Sequence, residues 1–296
     1  MSNRLLLVDG HAYAYRAFHA IRSLNAPDGS PTNAIYGFVK MVQKMVGALK
    51  PTHVLVLWDA GLAAERSAAL PEYKANRAPT PEALEAQFPQ IEGWLTAAGF
   101  SQHSEDGTEA DDWIGTYARR AEAAGWQVII ASADKDFLQL VNDRIGILNP
   151  NDKSEKIWAP ADVVAKTGVA PEQVADWLAL VGDSVDNIPG VPGVGPKTAA
   201  DLLRRFGSVD QIYARLAEIK SDSQRTALAG ASDAVRRNQL MVRLHETKAG
   251  GPGLEGLTPG VADLPALRLL YSRWGFRSLL AEVGGAEGTP VQGSLL

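Results

Sequence analysis

The chain has 296 residues, 46% of them apolar and 21% charged, with a formal net charge of −5. That length holds one large α/β domain, or one such domain with a smaller appendage. The absence of cysteine excludes disulfides, thiolate metal sites and cysteine nucleophiles and fits a reducing cytoplasm, while the longest apolar run near the N-terminus, residues 5–8, is far too short for a signal peptide or a membrane span.

The first 150 residues alternate between two patterns. Residues 4–8, 53–58, 126–131 and 145–148 are apolar runs of buried-strand length. Between them, 33–49, 81–98 and 109–124 carry apolar residues at helical spacing, with Pro81 a favourable first-turn residue. This alternation predicts an α/β fold with a largely parallel central sheet flanked by helices, and ligands bound beyond the carboxyl ends of its strands. Residues 60–81 form an excursion too long for an ordinary strand-to-helix connection, a kind of segment that is usually functional or disordered. From about residue 161 the chain turns helical, with candidates at 161–167, 171–181, 196–206, 209–219, 233–244 and 264–274. A Gly/Pro linker at 250–260 and a polar, flexible tail at 284–296 complete the pattern. The expected division is an α/β domain over 1–160, a helical part over 161–283, and the tail.

Nine carboxylates punctuate these elements: Asp9, Asp59, Glu109, Asp111, Asp112, Asp134, Asp136, Asp183 and Asp186. Asp9, Asp59 and the 134/136 pair follow apolar runs, and GTEADDW opens a helix. Taken singly, each cluster reads as well as a strand-end cap or a solvated first turn. Taken together they are costly beside buried strands unless a cation collects them. Without cysteine or paired histidines, the fitting collectors are hard divalent ions, Mg²⁺ or Mn²⁺, and two or more of them. Two such ions about 3.5–4 Å apart clamp the attacking and leaving oxygens of an in-line displacement at phosphorus. Without metal the carboxyls should titrate with raised, coupled pKa values. The remaining 25 acidic residues face 29 lysines and arginines, so the net charge does not exclude nucleic acid as a partner.

After Asp186 comes NIPGVPGVGPKTAADLL. Gly190 and Gly195 have the spacing of a phosphate loop, but Pro196 separates Gly195 from Lys197 and no strand is predicted before it, which excludes that reading. A helix–hairpin–helix at about 183–206 fits better than an ordinary interhelical turn. Gly190, Gly193 and Gly195 would let backbone N–H groups approach a DNA phosphate, with Lys197 and Thr198 on the same strand. Tyr73, Lys74 and Arg77 form a basic–aromatic set suited to a frayed or single-stranded end, with a solvated helix face as the bland alternative. Arg16, just beyond the Asp9 strand, is a candidate phosphate contact, and the five histidines show no metal-binding spacing.

The runs LLLVDGHAYAYRAFHA, LWDA, YKANRAPTP, GTEADD, SADKDFLQL and GDSVDNIPGVPGVGPKTAADLL resemble the flap-endonuclease family, most closely the 5′ nuclease domain of bacterial DNA polymerase I and its free-standing relatives. The resemblance covers essentially the whole chain. It implies a PIN-like 5′ nuclease fold with a helical arch at about 60–81. It also implies that Asp9, Asp59, Glu109 and Asp111 hold a first metal, and that Asp134, Asp136, Asp183 and Asp186 build a second, with Asp112 close by. Lys74 and Arg77 would steady the scissile phosphate, with Tyr73 beside them, and the hairpin at 190–198 would grip duplex, often with K⁺ on its backbone. The implied reaction is metal-dependent hydrolysis of a DNA phosphodiester at or near a 5′ end, on flaps, nicks or gaps, in replication and repair. The implied setting is a bacterial cytoplasm, at the nucleoid; a monomer away from membranes is the default. Where the family usually shows a lysine and then an aromatic–arginine pair, this chain has Gly61 and Glu65–Arg66, so the arch front is less basic and flap threading is in question. Val185 stands where a serine is common. Two other readings stay open: a nuclease acting on the RNA of RNA–DNA hybrids, and a non-catalytic DNA-structure-binding protein. Nine filled acidic positions argue against the second.

Overall fold

Four of the strands in this fold are the apolar runs read from the sequence. In the computed structural model, which describes residues 3–284, six strands form one sheet. They are β1 (Arg4–Asp9), β2 (His53–Leu57), β3 (Ser101–His103), β4 (Gln127–Ala131), β5 (Ile145–Leu148) and β6 (Ile157–Trp158). Their order is β3-β2-β1-β4-β5-β6, parallel throughout except that β6 runs antiparallel to β5. Successive side chains of a strand point to opposite faces, and here both faces are covered. Leu5, Leu7, Leu55, Leu57, Val128 and Ile130 enter one core, while Leu6, Val8, Val54, Val56, Ile129 and Ala131 enter the other. Each large aliphatic among them stabilises the fold by about 1.5–3 kcal/mol through burial. The expected largely parallel, helix-flanked sheet is the observed architecture.

Register decides where the carboxylates lie. Asp9 is level with Leu57 on β2, and Val8 with Ala131 on β4. Asp59 and Asp134 therefore emerge two and three residues beyond the same sheet edge.

The helices follow the predicted periods with instructive exceptions. The Asn33–Leu49 helix has the expected bounds. A Gly10–Ala20 helix, not anticipated, starts at Asp9, whose side chain accepts a hydrogen bond from the Ala12 N–H. The continuous helix expected at 81–98 is two, Glu82–Glu85 and Phe88–Ala97. Pro89 has no N–H to continue the ladder. At the break, buried Gln87 Oε1 accepts from the Ala34 and Ile35 N–H groups, closing the start of the Asn33–Leu49 helix.

The 60–81 excursion holds a short helix, Ala64–Ala69, that lies down on the protein, with Arg66, Leu70, Tyr73 and Lys74 all buried. Beyond β6 come helices Pro160–Thr167, Val174–Val181, Pro196–Phe206, Val209–Ala214, Asp222–Gly230 and Ser232–Val242. A two-residue pair, Gly182–Asp183 with Ile188–Pro189, precedes Gly190 where no strand was expected. The 250–260 stretch is packed. Leu257 is fully buried and the Gly260 N–H donates to the Gly99 carbonyl. A Cβ on Gly99, whose φ is +78°, would sit 2.5 Å from the Gly260 carbonyl oxygen, so this crossing needs glycine.

The last two helices, Leu264–Trp274 and Arg277–Gly284, return to the α/β unit. Leu267, Tyr271, Trp274, Phe276, Leu279 and Val283 share a core with Phe38 and Trp94. The Trp94 indole donates to the Tyr271 hydroxyl at 2.8 Å and the Trp274 indole to Gln90 Oε1 at 2.6 Å. In space, then, 264–284 sits with the first domain rather than with the helices before it. The tail expected at 284–296 lies outside the described residues, apart from Gly284 in the last helix. Among the described residues no helix is long and apolar enough to cross a membrane.

Tyr271→Phe strands the buried Trp94 donor and should cost about 1–3 kcal/mol. Tyr271→Ala adds a cavity and should cost about 3–5 kcal/mol. Urea unfolding followed by tryptophan fluorescence checks both; an unchanged sheet transition would mean that 264–284 is a dispensable appendage.

Candidate metal centre

Two cavities lie against the 60–81 excursion: one of about 680 Å³ at the sheet edge and the start of the Ala110–Ala123 helix, and one of about 800 Å³ against residues 181–190. The smaller one is lined by Asp9, Asp59, Glu109, Asp111 and Asp134, facing Lys74 and Arg77. Asp9 Oδ2 accepts from the Ser132 hydroxyl at 2.9 Å, tying β1 to β4. Asp59 Oδ1 accepts from the Ala110 N–H at 2.8 Å, tying β2 to the helix that carries Asp111. The larger cavity is lined by Asp183 and Lys135, 3.2 Å apart. Asp134 accepts from the Asp136 N–H at 2.8 Å, and Asp186 accepts from Arg77 at 2.6 Å.

These groups disfavour their own charge. Burial pushes the Asp9 carboxyl up to about 7, with Asp59 and Asp134 adding repulsion. Burial and then Asp134, Asp9 and Asp59 push Asp111 well above the usual range. Asp136 is pushed up by burial and then by Asp134, Asp183 and Asp186. Asp134 is raised too, mainly by burial. Asp136 Oδ1 is buried with no hydrogen-bond partner. An orphaned carboxylate oxygen inside a cluster of mutually repelling carboxyls is the donor set a hard divalent cation satisfies.

Glu109 and Asp112 are held differently. Glu109 is 1% exposed and is gripped by Lys74, Arg66 and the Tyr73 hydroxyl. Burial opposes its charge, but Lys74 and Arg66 outweigh burial and hold its carboxyl below the ordinary range. Asp112 turns onto Arg66, accepting from both terminal nitrogens, and accepts the His245 N–H at 3.0 Å. Arg66 spends its remaining donors on the Met241 and Arg243 carbonyls. Among the described residues no three metal-ligating side chains converge into a ready cage. Two cations occupy the carboxylate that would help close one.

The remaining expected residues fall in two places. Gly190, Gly193, Gly195, Lys197 and Thr198 form the turn and first turn of the Pro196–Phe206 helix, with Lys197 exposed. A Cβ on Gly190 would stand 2.0 Å from the Val181 carbonyl oxygen, so the turn folds back on the preceding helix only with glycine there. Arg16 points elsewhere, pairing with Asn151 on the surface. Sequence reading missed three neighbours. His11 lines the smaller cavity and its Nδ1 accepts from the Asp59 N–H at 3.1 Å; Lys135 faces Asp183; and Arg66, noted as a departure in the arch, is the buried anchor. The signal for Lys135 was available, since it lies between two of the predicted aspartates.

Parallel sheet, carboxylate-lined cavity and glycine-rich interhelical turn are the arrangement that the sequence resemblance implies. The family model for the 5′-3′ exonuclease N-terminal resolvase-like domain matches residues 4–168, and that for its C-terminal SAM fold matches 169–257. A 5′-3′ exonuclease of Aquifex aeolicus is 40% identical over 208 residues, spanning 70% of this chain and 71% of that protein. DNA polymerase I of Bacillus caldotenax is 36% identical over 285 residues, or 96% of this chain but 32% of the polymerase. The chain thus spans about a third of the length of such polymerase relatives. In fold it is similar to the phage T5 D15 flap endonuclease, solved as a pseudo-enzyme–product complex with DNA and metal ions. The TM-score is 0.68 at 22% identity, covering 96% of this chain and 98% of that one. The chain belongs to the 5′-3′ exonuclease family.

A carboxyl whose folded pKa is raised binds protons that the unfolded chain has released, so stability falls as pH rises. For Asp9 the window runs from about 4 to about 7. In EDTA the melting temperature should therefore drop by several degrees (about 5 °C or more) between pH 5.5 and 8. Added Mg²⁺ or Mn²⁺ should restore it chiefly at the higher pH. Differential scanning fluorimetry reads this; a flat profile with no metal response would remove the case for a charge-strained cluster.

Proposed function

We propose that the chain hydrolyses DNA phosphodiesters at or near 5′ ends, in the replication and repair setting of its relatives. The single observation that carries this reading is the cavity in which five carboxylates, separated by up to 125 residues of sequence, face Lys74 and Arg77. Two or more Mg²⁺ or Mn²⁺ ions would be held by Asp9, Asp59, Asp111 and Glu109 on one side and by Asp134, Asp136, Asp183 and Asp186 on the other. They would supply water activation and charge neutralisation at the phosphate. We assign Asp112 an anchoring role through Arg66, because both its oxygens are already engaged.

The chain's own residues do the rest. Lys74 neutralises Glu109 at rest. Once that charge is otherwise met, its ammonium is available to a substrate phosphate, beside the half-exposed Arg77. Tyr73 holds Glu109 in place through its hydroxyl, a supporting rather than a reacting role. The hairpin at 190–198 presents backbone N–H groups and Lys197 to a phosphate of the duplex, with K⁺ expected at the same turn. The excursion's front carries exposed Glu65 and no lysine, and is pinned by hydrogen bonds between Ala60 and Gly107–Thr108. Nicked and short 5′ ends are therefore preferred to long flaps.

Cleavage of a 5′-flap duplex and a matched nicked duplex, with Mg²⁺, Mn²⁺ or EDTA, tests the function. Metal-dependent release from the nick at least as fast as from the flap is expected. Tight binding with no cutting under either metal would favour a DNA-structure-binding protein instead. Asp134→Asn should lower the rate about 100-fold or more, and Lys74→Ala should do so with binding changed only a few-fold, since a charge aimed at the transition state acts on rate. Equal losses of rate and affinity in Lys74→Ala would sink its assigned role.

A further inference from the structure

The foot of the excursion and the loop carrying Asp183 and Asp186 are joined by hydrogen bonds running in both directions. Asn76 Nδ2 donates to the Ser184 carbonyl at 3.0 Å, and Asn187 Nδ2 donates to the Glu72 carbonyl at 2.8 Å. Between these two stitches the Lys74 N–H donates to the Asp186 carbonyl at 3.0 Å, and Arg77 reaches the Asp186 carboxylate. Lys74 and Asn187 have φ of +56° and +60°, two of the four non-glycine residues in the left-handed region among those described. Asparagine enters that region readily; lysine does so at a cost, and holds it only where its surroundings over-determine it. Here the crossing segments supply that constraint, at the residue whose side chain grips Glu109.

We propose that Asn76 and Asn187 form a reciprocal clasp that sets the position of Lys74 against the Asp183–Asp186 loop. Both are positioning residues for the proposed hydrolysis, acting through Lys74. Neither lines the cavity shared by Asp9, Asp59 and Asp111; both line the neighbouring one beside Asp183 and Lys135. Their amides do not compensate buried charge; they fix which backbone carbonyl lies opposite which. A side chain displaced by about 1 Å at a reacting phosphate loses rate without losing affinity, and that is the effect expected when the clasp opens. The inference rests on the nuclease reading.

The test compares Asn76→Ala, Asn187→Gly (which keeps the left-handed backbone but removes the amide) and the double variant, each with and without Lys74→Ala. Single-turnover cleavage of the nicked duplex in Mg²⁺ should fall about tenfold in either single variant, while affinity in EDTA stays within about twofold. The double variant should be little worse than the singles. In the Lys74→Ala background the same substitutions should cost less than about twofold, because what they position has been removed. Amide hydrogen exchange supplies a readout independent of activity: residues 72–77 should exchange faster in Asn187→Gly, and residues 183–187 faster in Asn76→Ala. An undiminished tenfold loss in the Lys74→Ala background would overturn the proposal, as would unchanged cleavage or unchanged exchange across the partner segment. Wild-type protein that cuts neither substrate defeats the nuclease reading instead, and the exchange data then still decide whether the clasp exists.

Discussion

One buried carboxylate organises the functional half of this molecule. Glu109 is almost wholly withdrawn from water, and its charge is met by Lys74 and Arg66 from the 60–81 excursion. Removing either partner would leave this buried charge only partly met, in a medium that tolerates unpaired charge poorly. Because Arg66 also donates to Asp112 and to the Met241 and Arg243 carbonyls, the same guanidinium fastens the excursion to the Ala110–Ala123 helix and to the end of the Ser232–Val242 helix. Five donors on a planar group, all used and all buried, make this a joint that lysine could not reproduce. What resembles an arch in sequence is therefore a strap, its position set from below.

The carboxylates that remain are brought together by a different cause. Parallel strands in neighbouring positions end on the same edge, so β1, β2 and β4 deliver Asp9, Asp59 and Asp134 to one rim whatever their distance in sequence. Two of them also serve as local structure: Asp9 caps the Gly10–Ala20 helix and Asp59 anchors the Ala110 N–H. Those hydrogen bonds fix orientation without discharging the repulsion within the set. The cluster is thus rigid and electrostatically strained at once, the combination in which bound cations contribute most to stability.

Legibility in the sequence followed from burial pattern. Strands covered on both faces are continuous apolar runs, and β1, β2, β4 and β5 were readable for that reason. β3 was not: Ser101, Gln102 and His103 are all half-buried and none is aliphatic, so nothing in their chemistry marks a strand. The Gly10–Ala20 helix is hard to read because small and aromatic residues alternate in GHAYAYRAFHA and blur its helical period, although Asp9 is a plain N-cap signal. The carboxylates of the candidate centre were readable as residues, but their division was not. That Glu109 and Asp112 would be neutralised by cations while Asp111, between them in the same turn, faces the cavity depends on where Arg66 and Lys74 fold, which is a tertiary fact. Arg66 itself was visible only as a mismatch with a pattern of basic arch residues. Its burial converts it from a missing contact with substrate into a structural joint.

That conversion bears on how the net charge of −5 would coexist with the polyanionic substrate proposed above. Lysines and arginines near the centre are not arrayed on the surface as a basic field. Arg66 and Lys74 are inside, Lys135 and Arg77 lean on Asp183 and Asp186, and each is partly neutralised at rest. The same pairing eases part of the repulsion among the carboxylates, with Lys74 and Lys135 lowering what burial and neighbouring charges raise. Under the proposed function, a site built in this way would act on a DNA end already delivered by the glycine hairpin rather than steer nucleic acid from solution. The hairpin, with its exposed Lys197, would then supply encounter, and the paired cations would act only after the end has entered the cavity.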